Sequence, residues 1–129
     1  MKKEYKEEVS RIRHEKTLKQ VILMRSDLDL PKGKMAAQAA HAAVEAEINS
    51  SRSKVADWLS EGAKKVVVKV DSEKELLEIQ RKAKSLKLVA SLITDAAKTF
   101  FKVPTRTCLG IGPDDDEKID KVTGSLKML

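Results

Sequence analysis

The stretch that most limits the fold is Pro31-Lys32-Gly33-Lys34-Met35-Ala36-Ala37-Gln38-Ala39-Ala40-His41-Ala42-Ala43. Alanine is the strongest helix former, and Pro31 and Gly33 punctuate the start. The pattern predicts a helix over residues 34–49. Ala36, Ala37, Ala40, Ala43 and Val44 read as faces small enough for another backbone to pack very close. Lys34, Gln38 and His41 interrupt the alanines at spacings of four and three, and Glu45 continues the stripe. Those spacings put the polar residues on one helix face. Lys34 stands in the first turn, where the helix dipole disfavours a cation by ~0.3–1 kcal/mol. Lys32 adds repulsion beside it. The pair reads either as donors gathered for an anion or as two solvated surface lysines.

Around this helix, short apolar runs alternate with helical patterns. Val21-Ile22-Leu23-Met24 reads as a strand buried on both faces, and a loop over 25–30 leads into the alanine helix. A short helix over 54–60 carries Val55, Trp58 and Leu59 and stops at Gly62. Residues 65–70 form a β-branched second strand. Ser72 with Glu75 three residues on is a capping-box signature, opening a helix that buries Leu76, Leu77, Ile79, Ala83 and Leu86. The third strand is expected over 88–93 and the fourth over 107–112. Pro113 and the carboxylates of residues 114–117 then start a last helix, which ends at Gly124. The alternation argues for an α/β protein with a three-layer α/β/α arrangement on a four-stranded sheet. The connection before the fourth strand contains Pro104 and allows that strand either direction, so the sheet is expected to be mixed. Residues 1–18 form a charged N-terminal extension, and 19–129 the domain. Tyr5, Val9 and Ile12 recur at helical spacing in the extension, which reads as a weakly amphipathic helix.

Composition narrows the function. The 129 residues carry a net charge of +6, with a pI near 9.4, which favours an anionic partner, nucleic acid before membrane. No apolar run approaches the ~18 residues that span a bilayer, and the charged N-terminus lacks the apolar core of a signal peptide. The lone Cys108 excludes an internal disulfide and suits a reducing compartment, hence the cytoplasm. It stands mid-strand, where an inert buried thiol is the ordinary state. His14 and His41 lie far apart, and CxxC and HExxH are absent, so metal chemistry lacks support. Gly110-Ile111-Gly112 lacks the third glycine of a dinucleotide fingerprint, and no Walker A motif is present.

A different constellation is available. Ligands of α/β sheets gather beyond the carboxyl ends of the strands. Lys34 follows the first strand, and Thr94 and Asp95 follow the third. If those strands are parallel neighbours, or one strand apart, Lys34 and Asp95 share a crevice. Thr99, Thr105 and Thr107 lie on the adjoining connection. A carboxylate, an ammonium and hydroxyls can position a water and stabilise an oxyanion. Asp95 reads equally as a helix N-cap, and Thr99 and Thr107 as loop and strand residues.

These residues resemble the second class of peptidyl-tRNA hydrolase, of archaea and eukaryotes. The matching pieces are Lys19-Gln20-Val21-Ile22, Arg25-Ser26-Asp27-Leu28, Lys32 through Ala43, and Lys65-Val66-Val67-Val68-Lys69. Ser91-Leu92-Ile93-Thr94-Asp95-Ala96, Leu109-Gly110-Ile111-Gly112-Pro113 and residues 119–127 follow in order. The resemblance implies the same three-layer fold, a frequent homodimer, and hydrolysis of the ester joining a peptide to the 3′-terminal ribose of tRNA. It implies no metal and no organic cofactor, and places the proposed site residues on Lys34, Asp95, Thr99 and Thr107. Gln38, His41 and Arg25 match positions that flank the site. Lys32, Lys98, Lys102 and Arg106 are expected to meet tRNA phosphates. The family usually reads Asp-Ala-Gly-Arg-Thr-Gln where this chain has Asp95-Ala96-Ala97-Lys98-Thr99-Phe100. Lysine cannot repeat arginine's bidentate fork, and Ala97 alters the turn if the glycine supplied a positive φ. Two other readings are an RNA-binding module without chemistry and an interaction protein docking through its extension.

Overall fold

The computed structural model describes residues 17–96 and 101–129. Eight elements follow in order: β1 (Leu18–Arg25), α1 (Lys32–Asn49), α2 (Arg52–Ser60), β2 (Lys65–Val70), α3 (Glu73–Ser85), β3 (Ala90–Asp95), β4 (Thr105–Asp115) and α4 (Asp116–Thr123). One sheet runs β2-β1-β4-β3. β1 is parallel to β2, and β4 is antiparallel to both β1 and β3. The expected mixed sheet is therefore present, with β1, β2 and β3 pointing one way and β4 the other. β1 and β3 are parallel and one strand apart, so their carboxyl ends share an edge.

Side chains alternate across the sheet, as a pleated strand requires. Val21, Leu23, Leu109 and Ile111 pack with Leu76, Ile79 and Ala83 of α3 and with Ile119 and Val122 of α4. Ile22, Met24, Ile93 and Cys108 face the other way, against Ala42 of α1 with Met35, Ala39 and Ala43 around it. These are the two outer layers expected from the alternating pattern. Ser72 caps α3, its hydroxyl accepting from the Glu75 N–H at 3.0 Å. Past α4 the chain turns back along the outer edge of β2. The Lys69 N–H donates to the Lys127 carbonyl at 2.9 Å and the Leu129 N–H to that of Val67 at 3.1 Å. That backbone pairing covers a sheet edge that would otherwise be open.

Several boundaries differ from the sequence reading, each for a physical reason. β3 begins at Ala90 and extends through Asp95, because β4 continues to pair with it. Asp95 is thus the last residue of a strand. β4 runs to Asp115, through the cis Gly112–Pro113 bond, and α4 starts at Asp116 rather than at Pro113. Proline reads as a breaker, but here it sits where the β1–β4 register slips between Lys19 and Val21, and a bulge tolerates a residue without an N–H. Asp114, expected in the helix's first turn, is buried and paired with Lys54.

The packing of α1 also needs correcting. Gln38, Ala42 and Ala46 are its buried residues, whereas Ala36, Ala37, Ala40 and Val44 are exposed. The close approach is made on Gly110 of β4. A Cβ there would stand 2.5 Å from the Ala42 carbonyl oxygen and 3.0 Å from the Ala46 Cβ. At Gly110 helix backbone lies directly on strand backbone, with the apolar side chains of the helix–sheet layer packed around that contact.

Candidate active site

The shared edge of β1 and β3 is where the polar residues meet. Asp95 is the last residue of β3 and Lys34 stands in the first turn of α1. Their Nζ and Oδ2 atoms are 2.9 Å apart, with side chains only 20% and 6% exposed. A carboxylate this buried requires a charged or hydrogen-bonding partner, and the lysine supplies one. The first-turn placement of Lys34 is thereby explained: the nearby carboxylate offsets the small penalty from the helix dipole.

Thr107 enters from β4, which lies between β1 and β3. Ile93 pairs with Cys108 and Thr94 with Arg106, leaving Thr107 as an extra residue on β4. Such a bulge re-aims a side chain, and the Thr107 hydroxyl donates to the Gln38 Oε1 at 2.6 Å. Next to it the Cys108 Sγ lies 3.3 Å from the Gln38 backbone oxygen, to which it donates. Burial pushes the Cys108 thiol up to about 11, opposed by its hydrogen bond with Thr107 and reinforced by the charge of Glu45. At neutral pH it is a protonated, inert group, as the sequence suggested. Lys34 and Gln38 are one turn apart on α1, so the ion pair and the hydrogen bond together tie this helix to the ends of β3 and β4.

The remaining expected site residues divide. Arg25 is used structurally. Its Nε and Nη2 donate to the two carboxylate oxygens of Asp27 at 3.0 and 2.7 Å, and its Nη1 to the Arg106 carbonyl at 2.9 Å. That hydrogen bond with Asp27 raises the Arg25 pKa and, from the other side, lowers that of Asp27. Arg106 is exposed, with Nη1 on the Glu73 Oε1 at 3.0 Å. Glu73 also approaches the Arg25 Nη1, at 3.7 Å. Nothing in the residue pattern points to this shared carboxylate, because Glu73 reads as an ordinary first-turn acid of α3. Lys32 and Lys102 are exposed. The Thr105 hydroxyl donates to the Val103 carbonyl at 2.8 Å and closes the turn into β4. Thr99 and Lys98, with the departures Ala97 and Phe100, lie outside the described residues.

His41 is not brought to the cluster. Its side chain is 63% exposed and pairs with Glu45 at 3.6 Å. At about 100° per residue, Lys34 sits roughly 80° and His41 roughly 100° from the centre of the buried face marked by Gln38, Ala42 and Ala46. A lysine stem is long enough to bend back to the sheet from there, and an imidazole is not. Among the described residues no three His, Cys, Asp or Glu side chains gather to hold a metal ion.

Comparison with known proteins decides the family. The family model described as "Peptidyl-tRNA hydrolase PTH2" matches residues 18–129. The chain belongs to the peptidyl-tRNA hydrolase PTH2 family. Curated relatives agree. A peptidyl-tRNA hydrolase of Methanothermobacter thermautotrophicus is 53% identical over 112 residues, covering 87% of this chain and 100% of the relative. That of Methanocaldococcus jannaschii is 51% identical over 115 residues, with the same coverage. That of Thermoplasma acidophilum is 46% identical over 114 residues, covering 86% of this chain and 97% of the relative. The family match begins at the residue that opens β1, and residues 1–17 precede it.

Proposed function

We propose that the chain hydrolyses the ester between a peptide, or an N-blocked amino acid, and the 3′-terminal ribose of tRNA, releasing both. The observation that carries this reading is the buried Lys34–Asp95 pair, 2.9 Å between Nζ and Oδ2, at the shared strand edge of a PTH2-family chain. Asp95 orients a water and takes its proton as the water oxygen bonds to the ester carbonyl carbon. The tetrahedral intermediate then expels the ribose oxygen, which recovers a proton, and the peptide leaves as a carboxylate. Lys34 stabilises the developing oxyanion or the departing ribose oxygen. Thr99 holds the water in line. Thr107, wholly buried with its hydroxyl proton given to Gln38, supports the site from beneath.

Exposed Lys32, Lys102 and Arg106, together with Lys98, meet tRNA phosphates. Binding is then salt-dependent and largely blind to sequence. The reaction proceeds without a metal, in the cytoplasm, where translation supplies the substrate. The chain acts as a homodimer, for which the outer face of α1 offers apolar surface: Val44 is 57% and Ile48 62% exposed. Among the described residues no helix is long and apolar enough to cross a membrane.

The test is release of N-blocked amino acid from purified tRNA esters, comparing wild type with Lys34→Ala and Asp95→Asn. Loss in both variants is expected. Unchanged rates would eliminate the assignment, and tRNA binding with no cleavage by wild type would make the chain a binding module. Full activity in EDTA is expected, and a metal requirement would refute the metal-free step. Sedimentation of wild type beside Val44→Asp tests the dimer, since a monomeric wild type contradicts it.

A further inference from the structure

Two glutamines are buried in this protein, and they use their amides in opposite ways. Gln20, fully buried on β1, spends its Nε2 donors on the backbone, reaching the Ala43 carbonyl at 2.9 Å and that of Gly112 at 3.3 Å. That is an amide tying a helix to a strand. Gln38 is 8% exposed. Its Oε1 accepts from the fully buried Thr107 hydroxyl at 2.6 Å, and its own backbone oxygen accepts from Cys108 at 3.3 Å. Among the described residues nothing accepts from its Nε2. The two ends of a primary amide point about 120° apart, one acceptor and two donors. With the acceptor end turned inward onto Thr107, the donor end is the one left for the crevice.

In this orientation the Gln38 Oε1 accepts from the Thr107 hydroxyl at 2.6 Å, which leaves both Nε2 hydrogens as donors. Thr107 itself is aimed by the bulge on β4, where it is the extra residue. Gln38 stands one turn from Lys34, whose Nζ lies on Asp95 at 2.9 Å. The site therefore offers two different donors, a charged one that meets the carboxylate and a neutral one whose N–H groups have no acceptor among the described residues. Neutral N–H donors held beside the ion pair are what a preorganised oxyanion site requires.

We infer that the Gln38 Nε2 binds the ester carbonyl oxygen and the oxyanion that forms on it, with Thr107 the positioning residue that aims the amide. This deepens the hydrolase reading and rests on it. Lys34 then serves the departing ribose oxygen, and Asp95 the water. Thr107 acts through Gln38 and touches neither substrate nor water.

Steady-state hydrolysis of N-blocked aminoacyl-tRNA by the full chain tests this, with Gln38→Ala, the isosteric Gln38→Glu, Thr107→Val, Thr107→Ser and the double Gln38→Ala/Thr107→Val. Loss of one oxyanion donor lowers kcat by ~10²–10³-fold, with KM little changed. Gln38→Glu fills the same volume, so a packing role would leave its kcat near wild type, whereas loss of the donor lowers it as far as Gln38→Ala. Thr107→Val lowers kcat, and Thr107→Ser restores it. The double variant is no slower than Gln38→Ala alone, because both changes disable one group. Wild-type kcat in Gln38→Ala, an effect confined to KM, or losses that multiply in the double variant would overturn the inference. If wild type cleaves, Asp95→Asn does not and Gln38→Ala does, the inference fails and the hydrolase reading stands. If wild type does not cleave, both fail.

Discussion

Gly110→Ala probes the joint on which the site depends. The added Cβ would stand 2.5 Å from the Ala42 carbonyl oxygen, where ordinary contact begins at 3.4 Å, a shortfall of about 0.9 Å (3.4 − 2.5). The obstructing atom is helix backbone, so no rotamer change relieves it and α1 must lift from β4. Overpacking of this kind typically destabilises by ~1–3 kcal/mol. At roughly 4 °C per kcal/mol for a chain of this size, Tm falls by about 4–12 °C. The chemical effect is larger in proportion. Lys34 and Gln38 ride on α1, while Asp95 and Thr107 belong to the sheet. A displacement of about 1 Å between reacting groups lowers rates by ~10²-fold. Circular dichroism on heating gives the first quantity and hydrolysis of N-blocked aminoacyl-tRNA the second. Gly33→Ala is the control: nothing lies within 4 Å of its Cβ position, so kcat is retained and stability rises by ~0.4–1 kcal/mol. Wild-type Tm and kcat in Gly110→Ala would refute the claim that helix-to-strand contact sets the site.

Other consequences are as direct. Ser72→Ala removes the hydroxyl that accepts from the Glu75 N–H and lowers stability by ~1 kcal/mol, read from urea unfolding, with hydrolysis unaffected. Cys108, buried and raised to about 11, reacts through its thiolate only, so iodoacetamide at pH 8 labels it after denaturation and not before. Labelling of the folded chain at the rate of a free thiol contradicts that burial. Asp27, whose pKa the Arg25 hydrogen bond lowers from 3.8, stabilises the fold above pH 3.8 and loses that contribution as pH falls through its depressed value. Asp27→Asn therefore flattens the acid limb of stability against pH. The change is small, because the pair is partly exposed, and an unaltered limb would dismiss it.

Much of this protein was written locally in the chain. The alanine run specifies a helix because alanine has the least to lose in one, and β-branched 65–70 specifies a strand by the same kind of reasoning. Both formed, as did the capped helix after Ser72. Lys34 and Asp95 were legible as a pair because their elements had to end at one edge if the strands were parallel, and β1 and β3 are. Other features depend on partners that are distant in sequence. The last turns of β4 pass through a proline only because β1 lies alongside to pair with them. His41 and Lys34 share a helical stripe, and only the helix's seating on Gly110 shows that one reaches the sheet and the other faces solvent. Thr107 is one threonine among several until a bulge turns it onto Gln38. Propensity and periodicity act within a few residues and so can be read from sequence. Register, close approach and the aim of a side chain come from elements meeting in space, and these assembled the site.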